Sequence, residues 1–244
     1  MDRAIYDNMA TVDEDHWWFV ARRKIIATLV EQQVRPAPGA RILEIGAGTG
    51  SNIALLQRYG VVDAVEPDDA ARAFAIARTG VAIKGGLLPD GVDLADEAYD
   101  MIAMLDVLEH IRGDQEALAA LAPKLAPGGR ILVTVPANPW LWSAHDVAHH
   151  HQRRYTAKTL RGTLDAAGFR VRYMTHFNSL LLPLVIAARA IGKLTGREGG
   201  DDAMPGAMVN GVLEATFATE RHWIGQHPVR FGVSLAAVAE IATR

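Results

Sequence analysis

The residues of this chain best suited to chemistry fall in two stretches. The first is Glu44-Ile45-Gly46-Ala47-Gly48-Thr49-Gly50, behind the apolar run Ile42-Leu43. Glycine lets the backbone take positive φ and lets a ligand approach with no Cβ in the way. Ser51 then opens a helix, whose first N–H groups have no partner inside the helix itself. Such a turn suits a nucleotide or a nucleoside-like cofactor. The dinucleotide fingerprint wants a small third residue where Ser51 stands. Glu44, two residues before the first glycine, suits an ammonium or sulfonium better than a pyrophosphate. A tight strand-to-helix turn with no ligand is the plainer alternative.

The second stretch runs from Pro139-Trp140-Leu141-Trp142 through His145-Asp146 to His149-His150-His151-Gln152-Arg153-Arg154-Tyr155. Transfer of a group to a hydroxyl or amine needs placement and often a base that titrates near neutrality. His145, with Asp146 beside it, is the first candidate base, followed by His151 and His110. Taken singly, His110 reads equally well as a helix cap, and His145 and His151 as parts of a wet loop. No metal is expected. Three consecutive side chains cannot all face one ion in regular structure, and only His145 and His149 have helical i, i+4 spacing.

The elements that must position these residues follow from the rest of the chain. Its 244 residues are long enough for one large α/β domain. Half are hydrophobic, and the net charge of −3 argues against a nucleic-acid surface. With no cysteine there is no disulfide and no thiolate metal site. The beginning of the chain lacks the apolar core of a signal peptide, and no stretch is long enough to span a bilayer. A cytoplasmic location is therefore expected.

Arg41–Ile45 reads as the first strand and Val61–Pro67 as the second. Glu66, at the carboxyl end of the second, is placed to receive ribose hydroxyls. Residues 70–78 are helical and 81–84 form a third strand. In the loop that follows, Leu87 or Leu88 can lie against a flat base. Tyr99–Leu105 is the fourth strand and Arg130–Val135 the fifth. Strands alternating with helices imply a parallel sheet. Before the glycine turn, His16-Trp17-Trp18-Phe19 and the apolar Ile25, Ile26 and Leu29 suit a helix lying on the sheet or over the cofactor mouth. Residues 1–35 read as a helical cap. Arg22 or Arg23 is a candidate to meet a cofactor carboxylate, which an arginine fork suits.

Four motifs now stand in order: E-I-G-A-G-T-G, an acid ending the second strand, Y-D-M-I through L-D-V-L-E-H, and L-A-P-G-G-R-I-L-V-T-V-P. Over roughly residues 40–176 the chain resembles the small-molecule, type 11/12-like branch of the class I S-adenosylmethionine (SAM) methyltransferases. The resemblance implies a doubly wound, seven-stranded, mostly parallel Rossmann-like sheet with a reversed last strand. It implies SAM across the carboxyl ends of the first strands, held by Glu44, Gly46, Ala47, Gly48, Gly50, Glu66, Pro67, Leu87, Asp106 and Val107, with Arg22. That family often carries a His-Asp pair and H-x-R-R-Y-T after strand five. His145, Asp146, His151, Arg153, Arg154 and Tyr155 match; His149 and His150 are additions.

Beyond a sixth strand at Phe169–Tyr173, about fifty residues precede a final strand at Phe231–Ala239. This stretch, 177–228, reads as a helical lid or substrate insert within one domain. Ser179–Lys193 is almost wholly apolar and helical, with Pro183 kinking it or marking its first turn. Arg189, Lys193 and Arg197 follow at four-residue spacing. Residues 196–206 read as a mobile linker, and Ala207–Gly225 as a second helix. The apolar helix with its cations suits either a lid over a greasy acceptor or an interfacial helix touching a membrane surface. The function expected is SAM-dependent methylation of an oxygen or nitrogen on a small or lipid-linked acceptor. A non-catalytic SAM-binding partner protein and a nicotinamide-dependent reductase are the alternatives. The acceptor and the oligomeric state stay open.

Overall fold

In a computed structural model the described residues are Asn8, residues 10–195 and residues 203–242. Seven strands form one sheet: β1 Ala40–Ile45, β2 Gly60–Val65, β3 Ile83–Lys84, β4 Tyr99–Leu105, β5 Leu125–Pro136, β6 Phe169–Phe177 and β7 Ser234–Ile241. Their order is β3-β2-β1-β4-β5-β7-β6. The first five pair in parallel, and β7 runs antiparallel between β5 and β6.

Alternation along the strands assigns side chains to the two faces. Ile42, Met101, Ala103, Leu132, Ala236 and Val238 pack on one face against helix α1 (Trp17–Leu29), the short helix α2 (Ile53–Leu56) and Ala75 of helix α3 (Asp69–Thr79). Leu43, Ile45, Ile102, Met104, Ile131 and Val133 pack on the other, against helix α4 (Asp114–Leu121) and helix α6 (Ala157–Ala166). Between β5 and α6 lies the short helix α5, Ala144–Ala148. Two longer helices, α7 (Leu182–Thr195) and α8 (Ala207–Thr219), stand between β6 and β7.

Helix α8 packs on α1. The Trp17 ring meets Phe217 edge-on at 6.2 Å, the Trp17 N–H reaches Asn210 at 2.9 Å, and Lys24 pairs with Glu214 at 2.7 Å. The cap and the insert, distant in sequence, thus support each other. Ahead of α1, the buried Asp13 takes a two-pronged ion pair from Arg78 at 2.8 and 2.9 Å and a hydrogen bond from Thr49 at 2.9 Å. This ties the start of the chain to the glycine turn.

Several boundaries differ from the sequence expectation. β6 continues to Phe177 because its polar residues find partners: Thr175 accepts from the Val229 N–H and the His176 N–H reaches the Val229 carbonyl. β7 begins at Ser234, paired with Pro136 and Phe177, while Phe231 is exposed ahead of it. α8 stops at Thr219 and passes into a single tight turn, Glu220–His222. Pro183 sits in the first turn of α7, where its missing N–H costs nothing. Residues 196–202 of the expected linker, Arg197 among them, lie outside the described residues, as does the side chain of Lys193.

Candidate functional site

A cavity of about 740 Å³ opens at the carboxyl ends of β1, β2 and β4 and continues to the loop after β5 and the insert. Gly46, Ala47, Gly48, Glu66, Pro67, Leu87, Asp106, Val107 and Arg22 all line it. Gly46 has φ +71°, and a Cβ there would lie 2.5 Å from a methyl of Val107. Gly48, at φ +55°, faces the cavity, and a Cβ there would meet nothing within 4 Å. That emptiness is the space a ligand needs. Glu66 is buried and takes N–H bonds from Gly48 at 2.7 Å and Asp68 at 3.0 Å, which fix its carboxylate at the strand end.

Arg22 is buried on the cavity wall and pairs with Asp106 at 2.5 Å. It also reaches Asn52 at 3.3 Å and Thr134 at 3.4 Å, and lies over the Trp18 ring. Its Nε–H is buried with no hydrogen-bond partner among the described residues. Arg23 turns away instead, onto the carbonyls of Asp13 and Glu14. Of the two arginine candidates, only Arg22 is placed for a cofactor carboxylate. Asp106 holds a left-handed φ of 61°, uncommon for a residue with a Cβ. The Thr134 carbonyl takes its N–H at 3.0 Å.

Two expected cofactor residues stand off the cavity wall. Glu44 is fully buried beneath the turn and accepts from Asn52 at 3.0 Å, which in turn bonds Arg22. Burial pushes its carboxyl up to about 7. It therefore supports the site through Asn52 and does not front it. Gly50 backs onto α3: a Cβ there would lie 3.0 Å from Thr79 and 3.2 Å from Ala75. It is a helix-packing glycine.

The other end of the cavity is lined by His110, His145, His149 and His151, with Glu109 and Arg154. The sequence suggested His145 with Asp146. The structure instead gives Asp146 to His151, Nδ1 to Oδ1 at 2.9 Å, and to Arg154 at 2.7 Å. Successive residues on a helix diverge by about 100°, so Asp146 turns inward as His145 points elsewhere. Asp146 also accepts from the Ser143 N–H at 2.9 Å, capping α5. Burial opposes its charge, but the bonds from His151 and Arg154 win and hold it well below the usual carboxylate range. The His145 ring lies 4.1 Å from His149, its i+4 neighbour.

Burial, reinforced by the neighbouring His151 and His149, pushes His110 down to about 3. Burial also lowers His151, against the pull of Asp146. Both rings are thus neutral at pH 7. Glu109 is buried, and burial together with nearby Asp106 raises its carboxyl well above the ordinary value.

The motif H-x-R-R-Y-T pins this loop to the sheet. Arg154 reaches the Ala137 carbonyl at 3.1 Å, Arg153 reaches the Arg112 carbonyl and Asp114 at 2.7 Å each, and the Tyr155 hydroxyl donates to Asp114 at 2.7 Å. The third wall is apolar and comes from the insert: Leu181, Leu184, Val185 and Ala188, with Leu213 of α8. Arg189 lines the cavity too. Glu220, fully buried, accepts the N–H groups of Ser179 and Leu180 at 2.6 and 2.8 Å and anchors the start of the insert. Sequence reasoning missed Glu109 and Asn52, whereas the apolar face of α7, with Leu181 and Leu184, lies on the cavity wall as the lid reading expected. Glu109 was visible in L-D-V-L-E-H; Asn52 gave no signal.

A parallel sheet of this order with an antiparallel β7, and a glycine turn, strand-end acid and buried arginine around one cavity, define a class I SAM-dependent methyltransferase fold. The open cradle at Gly48 and the orphaned Nε–H of Arg22 fit SAM, the cofactor of that class. The family model described as "Methyltransferase domain" matches residues 17–173, and the chain belongs to that family. A "Probable S-adenosylmethionine-dependent methyltransferase" of Mycolicibacterium smegmatis is 27% identical over 162 residues, 65% of this chain and 61% of that protein. A ubiquinone biosynthesis O-methyltransferase of Aeromonas salmonicida is 27% identical over 157 residues, 56% of this chain and 66% of the relative. The chain thus spans between 61% and 66% of the length of these curated relatives. A Haloferax volcanii methyltransferase, solved in complex with a methyltransferase activator, superposes with a TM-score of 0.64 at 17% identity, covering 99% of this chain and 98% of the other. That last likeness concerns the fold alone.

Proposed function

We propose that this chain methylates a hydroxyl oxygen on an apolar acceptor that reaches it from a lipid surface. The observation that carries the reading is the His151–Asp146 pair, 2.9 Å apart on the wall of the same cavity as the glycine turn. Asp146 is also held by Arg154, so it stays a carboxylate and accepts the hydrogen bond that His151 Nδ1–H donates. Nε2 of a neutral His151 is then a proton acceptor, the role a hydroxyl acceptor requires. Bound SAM supplies an activated methyl group on a sulfonium. Glu66, Arg22 and the glycine turn hold the cofactor, and His151 receives the acceptor proton. The relatives named as ubiquinone biosynthesis O-methyltransferases support oxygen as the accepting atom.

The apolar character of the acceptor rests on the insert. Leu181, Leu184 and Val185 face the cavity. On the outside, Ile191 and Leu194 of α7 and Met208 and Val212 of α8 are exposed, Leu194 at 86% and Met208 at 83%. Among the described residues no helix is long and apolar enough to cross a membrane. An exposed apolar face beside an apolar wall suits contact with one leaflet.

The test sets a hydroxyl against an amine on the same alkyl chain, with short and long chains. The long-chain alcohol or phenol should be the best acceptor, and the protein should float with liposomes. His151→Asn should lower its turnover by about 10²–10⁴-fold with SAM affinity retained. Preference for the amine, or equal turnover of short and long chains, would overturn the reading.

A further inference from the structure

Two histidines and an acid from two separate loops meet at the acceptor end of the cavity, and their donor atoms form a pattern the sequence did not foreshadow. Glu109 and His110 come from the turn Leu108–His110 after β4, and His151 from the loop after β5. One donor atom from each of these three lies within 4.8 Å of the other two. The set differs from the sequence candidates His145 and His149, which stand beside it: their rings are 6.1 and 5.8 Å from that of His151.

We propose that Glu109, His110 and His151 bind one divalent transition-metal ion of the zinc, cobalt or manganese type. Oε2 of Glu109 is buried, on a residue only 1% exposed, and has no hydrogen-bond partner among the described residues. A buried acceptor left without a donor is costly, and an ion removes that cost. His151 has the support that metal-binding histidines have. Its Nδ1–H is taken by Asp146, which fixes the tautomer and leaves the Nε2 lone pair for the ion. Arg154 holds Asp146 in place behind it. Two imidazoles and one carboxylate make a three-ligand site with an open position, the arrangement of catalytic zinc. Nitrogen donors favour such ions over magnesium, which prefers oxygen and keeps its water. Donors of a tetrahedral zinc site lie about 3.4 Å apart, inside the 4.8 Å that bounds these three.

The role of the ion rests on the functional reading above. An acceptor hydroxyl in the open position is held and acidified. Its O–H bond breaks, the electron pair stays on the oxygen, and the proton leaves to water. His151 then acts as ligand and the ion does the work assigned to the imidazole alone.

The protein is stripped with chelator and titrated with Co²⁺ or Zn²⁺, following heat by calorimetry and the visible absorption of Co²⁺. The expected result is one ion per chain, weakened at least tenfold in Glu109→Gln and in His151→Asn, both checked for fold by circular dichroism and for SAM affinity. His150→Asn, outside the set, should bind as the parent does. Absence of saturable binding, or unchanged binding in both variants, would overturn the site. Methylation that survives stripping undiminished would overturn its role while leaving the hydroxyl reading intact. Ion binding with no methylation of any hydroxyl would sustain the site and sink the functional reading instead.

Discussion

The two ends of the cavity are built on different terms. At the cofactor end, backbone groups and side chains from strand ends and the flanking helices are fastened to one another: Glu66 to the Gly48 and Asp68 N–H groups, Arg22 to Asp106, Asp13 to Arg78 and Thr49. At the acceptor end the wall is made of loop histidines and of helices whose outer faces are apolar and open. The first arrangement leaves its polar groups fixed by one another beside the glycine turn. The second is held from outside the sheet, by a clip of arginines and by helix–helix packing.

Breaking the cofactor end should have the largest effect. Gly48→Val places a β-branched residue at φ +55° and fills the space beside the turn. SAM binding by calorimetry should be lost, while the sheet remains folded. Retained affinity would mean that the cradle at Gly48 is not where the cofactor lies. Next in size, Glu66→Ala should weaken SAM by about 1–3 kcal/mol, the scale of a hydrogen bond to a charged group. Unchanged affinity in a folded variant would remove the ribose role.

A third test concerns the acceptor end and pH. His110 is driven down to about 3 in the folded chain, whereas an unfolded histidine titrates near 6.5. Below about 6.5 the unfolded chain takes a proton the folded chain refuses. Stability is therefore full above that value and falls as the pH drops toward 3. His110→Asn should flatten this acid loss in urea melts at stepped pH. A variant that loses stability as steeply as the parent would show that the ring is not held neutral by burial.

The cofactor end was the legible one. Tyr99–Leu105 reads as a strand because its residues are almost all apolar between turn signals, and the observed bounds are the same. Gly46, Gly48 and Glu66 lie on the cavity wall, where the sequence placed them, because their position depends on local backbone and on a strand end. Gly50 and Glu44 were misjudged because a pattern marks a position without saying which way it faces. The pairing of Asp146 was hidden for a related reason. Its neighbour in sequence, His145, diverges on the helix, and its true partner, His151, returns to it only after the loop closes. Glu109 and His151 lie 42 residues apart, and nothing in their spacing announces a shared wall.

The reversed β7 has a consequence for how such a protein can change. Because β6 and β7 form an antiparallel pair, the segment joining them leaves and re-enters the sheet at one end, the end where the cavity opens. Closing a loop twice as long costs only about 0.6 kcal/mol more. The connection between Phe177 and Ser234 is thus a graft site. Length added at the outer ends of α7 and α8, away from the buried Phe217 and Glu220, leaves the hairpin register of β6 and β7 to the sheet itself.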